Sequence, residues 1–258
     1  MILKERTALV TGASKGIGKG IALALGRAGC RVAVNYFSDA RGAEDTVSEL
    51  RAIGMDAFAV PGNVGDASEV QEMFAVVEER FQRIDILVNN AGIQTWGPLL
   101  ELKEAEWDRV IDTNLKGCFL CTQAAARRMR SRSSGVIVNI GSGSNKVPFP
   151  NLASYTASKG GIEMFTKAAA VELGPYGIRV NCVAPGAIAI ERTEQEAPGY
   201  SAAWARITPL RRIGTPQDVG DLVVFLATKE AAFITGQTIW VDGAAFTQPR
   251  WPHEKYQD

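Results

Sequence analysis

Tyr155 and Lys159 stand one helical turn apart in Tyr155-Thr156-Ala157-Ser158-Lys159, and Ser142 precedes them in the turn Gly141-Ser142-Gly143-Ser144. Residues at i and i+4 of a helix share a face, which sets a phenol beside an ammonium. A free tyrosine, with a pKa of about 10, is a poor base near neutral pH. A neighbouring ammonium favours the phenolate. Such a pair can give a proton to a carbonyl oxygen or take one from an alcohol. Ser142 ends an apolar run, so its hydroxyl can hold the oxygen on which charge develops. The Tyr-x-x-x-Lys spacing alone also fits a surface helix pair. Ser142 and a glycine loop in the same chain set it apart.

That loop is Thr11-Gly12-Ala13-Ser14-Lys15-Gly16-Ile17-Gly18, directly after an apolar strand and opening a helix. Glycines at such a junction allow a tight turn, close approach of backbone to a pyrophosphate, and close helix–sheet packing. The helix N-terminus adds free N–H groups and a positive dipole end. A pyrophosphate cradle joined to carbonyl/alcohol chemistry implies a nicotinamide dinucleotide. A carboxylate at the end of the second strand would bind the adenosine ribose hydroxyls and repel a 2′-phosphate. Here that segment reads Asn35-Tyr36-Phe37-Ser38, with no carboxylate before Asp39, while Lys15 and Arg41 add positive charge. The expectation is NADP(H), with NAD(H) possible.

The elements that must position these groups alternate regularly. Short β-branched runs at 7–10, 31–36, 57–60, 84–88, 136–140, 179–183 and 237–241 read as strands. Amphipathic segments at 17–28, 40–53, 67–82, 104–130, 153–173 and 216–227 read as helices. Strands apolar on both faces and followed by helices predict an α/β fold, a parallel sheet covered on both sides. With no break in the alternation, the reading is one domain over 1–258. One long irregular stretch, 186–214, is expected to be a functional loop, its substrate-facing part about 187–214.

Composition narrows the classes. Lys+Arg and Asp+Glu balance at 28 each, so no overall field recruits nucleic acid or an anionic membrane. The start lacks a signal-peptide pattern and no run is long enough to span a bilayer, which makes the cytoplasm the expected location. Cys30, Cys118, Cys121 and Cys182 complete no zinc pattern, and His253 is the only histidine, so no metal is expected. Buried thiols in a reducing compartment explain them.

The chain resembles the short-chain dehydrogenase/reductase family, almost end to end. Thr11 to Gly18 matches the family's cofactor loop. Asn89-Asn90-Ala91-Gly92 matches the segment that supports the central sheet and the cofactor. Asn114, Ser142, Tyr155 and Lys159 match the catalytic tetrad, and Pro185-Gly186, with Ile188, matches the segment beside the nicotinamide. The resemblance implies a Rossmann sheet of seven parallel strands. It also implies a homotetramer, with the Tyr/Lys helix and its predecessor between subunits. Asn114 would help hold a water beside the lysine, and Lys159 would also bind the nicotinamide ribose. Hydride would pass between nicotinamide C4 and the substrate carbon. Two positions depart. Asn63-Val64 replaces the Asp-Val whose aspartate contacts adenine. Ile190 replaces a threonine that meets the carboxamide, a contact that is either lost or supplied by Thr193.

Within the family, Val34-Asn35-Tyr36, Lys146-Val147-Pro148-Phe149-Pro150, Ser158-Lys159-Gly160-Gly161 and Pro185-Gly186-Ala187-Ile188 look most like the glucose 1-dehydrogenase group. Some of these also occur in 3-oxoacyl-carrier-protein reductases. Gln94, Trp96, Ser142, Ser144, Asn145 and Tyr155 are expected to read the substrate, with Lys146 and Asn151 nearby. That set is polar, which suits a sugar or polyol. The alternative is a 3-oxoacyl-carrier-protein reductase, for which Arg127, Arg128, Arg130 and Arg132 could form a docking patch or simply cap a helix C-terminus. A non-catalytic NADP-binding sensor is the third reading, and the intact Ser142, Tyr155 and Lys159 stand against it. The tail 247–258 holds Trp251 and Tyr256, and is expected either to fray or to dock across a subunit interface.

Overall fold

Val10, Val32, Val88 and Val138 are buried on one side of a sheet, and Leu9, Ala33, Leu87 and Ile137 on the other. Strand side chains alternate in direction, so these runs demand cover on both faces. In the computed structural model, residues 1–247 are described, apart from the side chains of Arg192, Glu194 and Glu196. The elements are β1 (Thr7–Val10), α1 (Gly16–Arg27), β2 (Arg31–Tyr36), α2 (Ala40–Ala52), β3 (Ala57–Pro61), α3 (Ala67–Phe81), β4 (Ile86–Asn89), α4 (Glu104–Ile111), α5 (Gly117–Met129), β5 (Gly135–Ile140), α6 (Ala153–Leu173), β6 (Ile178–Pro185), α7 (Glu191–Glu196), α8 (Tyr200–Ile207), α9 (Pro216–Ala227) and β7 (Thr238–Val241). The sheet is seven-stranded and parallel, in the order β3-β2-β1-β4-β5-β6-β7. It forms a Rossmann-like α/β domain, as expected from the alternation.

One core joins the sheet to α1, α2 and α9 through Ile21, Leu25, Val47, Leu50, Val219 and Val223. The other joins it to α3, α5 and α6 through Val70, Phe74, Val77, Ala125 and Ala169. The strand order reverses between β1 and β4, and open α/β sheets bind ligands in the crevice at the carboxyl ends of the strands there. Among the described residues no helix is long and apolar enough to cross a membrane.

Two segments differ from the sequence expectation. The helix expected over 104–130 is interrupted by a π-helical turn, Asp112–Lys116, between α4 and α5. The stretch 186–214 is not wholly irregular, because α7 and α8 lie within it. Pro198-Gly199 divides them into pieces of 6 and 8 residues, too short for a helical period to stand out. Residues 248–258 of the tail, expected either to fray or to dock across a subunit interface, lie outside the described residues.

Candidate active site

Ser142 follows the end of β5 and caps the short turn Gly143–Asn145, its Oγ accepting the Ser144 N–H at 3.1 Å. With that lone pair engaged, the hydroxyl proton is available to a substrate oxygen. The first turns of α6 carry Tyr155 and Lys159. Lys159 is buried, its Nζ donates to the Ile140 carbonyl at 2.8 Å, and it lies 5.6 Å from the centre of the Tyr155 ring. An ammonium has three donors, so two remain after that bond. Ser142 and Tyr155 line a cavity of about 730 Å³, together with Gln94, Trp96, Pro185 and Gly186.

The π-helical turn faces Asn114 inward. Its Nδ2 donates to the Ile93 carbonyl at 2.9 Å and to Ser158 Oγ at 3.0 Å, and its Oδ1 accepts the Ile93 N–H at 2.8 Å. Ser158 Oγ in turn donates to the Tyr155 carbonyl at 2.7 Å. Asn114 therefore pins the first turn of α6 to the chain leaving β4. Below it, Asn89 Nδ2 donates to Asn139 Oδ1 at 2.8 Å, and Asn139 Nδ2 to Thr166 Oγ1 at 2.9 Å. That buried network ties β4, β5 and α6 together, with Asn89 Oδ1 left without a partner among the described residues.

The glycine loop is built against Asn90 and Ala91. Thr11 Oγ1 accepts both of their N–H groups at 3.0 Å, and Asn90 Nδ2 donates to the Thr11 and Gly12 carbonyls. Gly12 has φ of +60°, and a Cβ there would lie 2.8 Å from Ala91 Cα; one on Gly18 would lie 2.3 Å from the Gly12 carbonyl oxygen. Only glycine fits either position. Lys15 adds no side-chain cap to α1, so Gly16, Ile17 and Gly18 open the helix with N–H groups free of a side-chain cap. A cradle this close, ending in open N–H groups, fits a dinucleotide pyrophosphate.

The adenosine end is less direct than the sequence suggests. Asn35 is buried, its Oδ1 accepts the Gly12 N–H at 3.1 Å, and its Nδ2 donates to the Val60 and Gly62 carbonyls. Its amide is engaged with the scaffold, and it shapes the loop rather than facing the crevice. Tyr36 is half-buried, and Phe37 and Ser38 are exposed. Lys15 Nζ lies 3.4 Å from Asp39, whose carboxyl is held below its usual range first by the Gly42 N–H and then by Lys15. Asn63 Oδ1 accepts the Gly65 N–H, and Val64 is buried. Gly92 is exposed beyond β4. Ile188 is buried in the core and pairs with Gly214, while the Ile190 side chain covers Gly16. Thr193 Oγ1 both accepts the Ile190 N–H and donates to the Ile190 carbonyl, so its hydroxyl is engaged.

An aromatic cluster lines part of the cavity, which sequence reasoning did not find. Phe149 lies 6.3 Å from Trp204 and 5.8 Å from Phe246, and Trp204 lies 5.8 Å from Phe246, ring centre to ring centre. Asp242 seats Phe246 by accepting the Ala244 and Phe246 N–H groups. A Cβ on Gly143 would sit 2.4 Å from the Phe246 ring, so that glycine lets the ring lie on the Ser142 turn. Ser144 and Asn145 do not line the cavity. The Ser144 hydroxyl is buried without a partner, and Asn145 Nδ2 donates to Glu163 at 3.2 Å. The arginines lie in the last turn of α5 (Arg127 and Arg128) and just past it (Arg130 and Arg132), at the end of the sheet opposite Ser142. Arg128 pairs with Glu78 and Arg132 donates to the Ile84 carbonyl. All four thiols are free and buried, and burial pushes Cys30 and Cys118 up to about 12 and Cys182 to about 11. Among the described residues no cluster could hold a metal ion.

A family model described as Enoyl-(Acyl carrier protein) reductase matches residues 12–244. The 3-oxoacyl-[acyl-carrier-protein] reductase FabG of Staphylococcus aureus (strain Mu50) is 46% identical over 241 residues, covering 93% of this chain and 98% of its own. The 3beta-hydroxysteroid dehydrogenase 1 of Eggerthella lenta is 39% identical, over 96% of each chain. A gluconate 5-dehydrogenase from Burkholderia cenocepacia, solved in complex with NADP and tartrate, is similar at a TM-score of 0.89 and 34% identity, over 96% of this chain and 97% of that one.

Proposed function

Because the chain belongs to the short-chain dehydrogenase/reductase family, an oxidoreductase family of carbonyl and CH–OH chemistry, we propose that it uses NADP(H) to reduce the ketone of a 3-oxoacyl thioester. The observation that carries this reading is the make-up of the cavity lining. Ser142 and Tyr155 share it with the aromatic rings of Phe149, Trp204 and Phe246. The first pair suits a single reacting oxygen, and the rings suit a hydrocarbon body. The 46% identity to a 3-oxoacyl reductase supports the same substrate class. A sugar would leave many hydroxyls facing aromatic rings. Asn145, Lys146 and Asn151, which favoured a sugar in the sequence, are absent from the lining.

The glycine loop would hold the pyrophosphate through the N–H groups of Gly16, Ile17 and Gly18, with Ser14, Ala91 and Gly92 beside it. Lys15, Ser38 and Arg41 would face a 2′-phosphate, and Asn63 and Val64 the adenine. Asn35, Tyr36 and Asn90 would act by shaping that site. Pro185, Gly186 and Ile188 would flank the nicotinamide, which when bound supplies hydride to the carbonyl carbon. Ser142 donates its hydroxyl proton in a hydrogen bond to the carbonyl oxygen, and Tyr155 transfers its Oη proton to that oxygen, giving an alcohol. Lys159 offsets the phenolate left on Tyr155, and its remaining donors suit the ribose hydroxyls. Asn114 holds the helix turn that carries Tyr155. Gln94 and Trp96 border the substrate.

The reading includes one catalytic domain, a homotetramer and the cytoplasm. Exposed Phe119, Met164 and Val171 on α5 and α6, and exposed Phe225 and Phe233 near β7, support association of copies. Four free thiols suit a reducing compartment. Steady-state assays of NADPH with 3-oxoacyl thioesters, and of NADP⁺ with a panel of aldoses, test the reading. A higher kcat/KM for the thioesters is expected. Aldose oxidation with no thioester reduction would overturn it.

A further inference from the structure

Tyr200 is a second phenol in the cavity, and the mechanism above does not use it. It opens α8, lines the same cavity as Tyr155, and its ring centre lies 6.1 Å from that of Trp204. The residue is half-buried, and no hydrogen bond from any described residue holds its hydroxyl. Burial first, and the nearby Tyr155 phenol second, push its pKa up. It therefore stays protonated near neutral pH and is a hydrogen-bond donor. Around it on the cavity lining stand the aromatic rings of Phe149, Trp204 and Phe246. Thr193, the next hydroxyl on the cavity lining, is already bonded to Ile190 at both its donor and its acceptor.

We propose that Tyr200 determines substrate choice by donating a hydrogen bond to a second substrate oxygen close to the reacting carbonyl, so that the site selects 1,3-dicarbonyl compounds over plain ketones. The inference rests on the proposed function and adds a recognition element to it. Ser142 and Tyr155 take the ketone oxygen, and the neighbouring phenol takes the acyl carbonyl oxygen two carbons away. The apolar remainder then lies along the aromatic wall. A site with a buried donor rejects a ligand lacking the matching acceptor, because the donor loses its water and gains nothing. A plain ketone meets Tyr200 with no such oxygen in place.

The test is Tyr200→Phe, which keeps the ring beside Trp204 and removes only the hydroxyl. Its kcat/KM for a short 3-oxoacyl thioester should fall roughly 3- to 10-fold, the size of one net hydrogen bond. Its kcat/KM for a plain ketone of similar length should hold or rise, because the unmatched donor is removed with the hydroxyl, and the NADPH KM should stay within about twofold. Equal loss on both substrates would mean the hydroxyl acts on the reacting oxygen, and no loss on the thioester would mean it acts on nothing; either result overturns the proposal. Wild-type reduction of the plain ketone checks the proposed chemistry without Tyr200. If wild type reduces neither compound, that chemistry fails, and calorimetric binding of the thioester still judges Tyr200. A 3- to 10-fold weaker Kd in the variant supports it, and an unchanged Kd overturns it.

Discussion

At the scale of single residues, the site depends on which polar atoms are already engaged. Ser142 Oγ accepts from the Ser144 N–H and Lys159 Nζ donates to the Ile140 carbonyl, so each is fixed by backbone before any substrate arrives. The proposed function leaves Tyr155 to move the proton. Tyr155→Phe should lower turnover by roughly 10²- to 10⁴-fold, as expected of a general acid, with NADPH binding almost unchanged; rates and cofactor titration measure both. Under the proposed function, cofactor choice would turn on the exposed chain just after β2, where Phe37 is solvent-facing and Lys15 is paired with Asp39. Phe37→Asp would add a carboxylate near the expected 2′-phosphate. The ratio of kcat/KM for NADPH to that for NADH should fall by about tenfold, equivalent to roughly 1.4 kcal/mol. An unchanged ratio would place the phosphate elsewhere. Tyr155, Lys159 and Ser142 were legible in the sequence because their spacing encodes a local arrangement. The role of Asn35 was not, since only the fold shows its amide bonded to Gly12, Val60 and Gly62.

At the scale of elements, the substrate segment is anchored at its end by a cap. Thr215 and Asp218 form a reciprocal box at the start of α9, and Arg212 grips Asp218 with two nitrogens at 2.6 and 2.7 Å. The Arg212 guanidinium, followed by the Thr215 bonds, holds the Asp218 carboxyl well below its usual range. A depressed folded value means that Asp218 contributes stability above the unfolded carboxylate value of about 3.9. That contribution is lost as pH falls from there through the folded value. Asp218→Asn should therefore lower Tm by a near-constant amount between about pH 5 and 8, corresponding to roughly 0.5–2 kcal/mol for a lost cap. The gap from wild type should narrow below about pH 4, where the wild-type carboxylate begins to lose its advantage. A gap that widens in acid would contradict this account. The strands and most helices were legible because apolar runs and amphipathic periods are local signals. The π-helical turn over Asp112–Lys116 was not, because it contains neither proline nor glycine and is held by the tertiary bonds of Asn114 to Ile93 and Ser158. The aromatic wall was hidden for a similar reason. Phe149, Trp204 and Phe246 come from three separate segments that only the folded chain brings together.

At the scale of the whole molecule, two cores clamp one parallel sheet, and the crevice at its strand reversal brings the glycine loop and Tyr155 to the same end. The cavity is lined both by the Ser142 and Tyr155 hydroxyls and by the aromatic rings of Phe149, Trp204 and Phe246. Under the proposed function, this placement would make hydride delivery and proton delivery converge on one carbonyl of the substrate. The most direct measurement follows both. Wild-type protein is incubated with NADPH deuterated on the transferring face of C4 and a 3-oxoacyl thioester, and the product is read by mass spectrometry. The account predicts a 3-hydroxyacyl thioester carrying one deuterium on its carbinol carbon, formed by wild type and nearly absent with Tyr155→Phe over the same interval. No labelled alcohol from wild type, or equal labelled product from the variant, would contradict it.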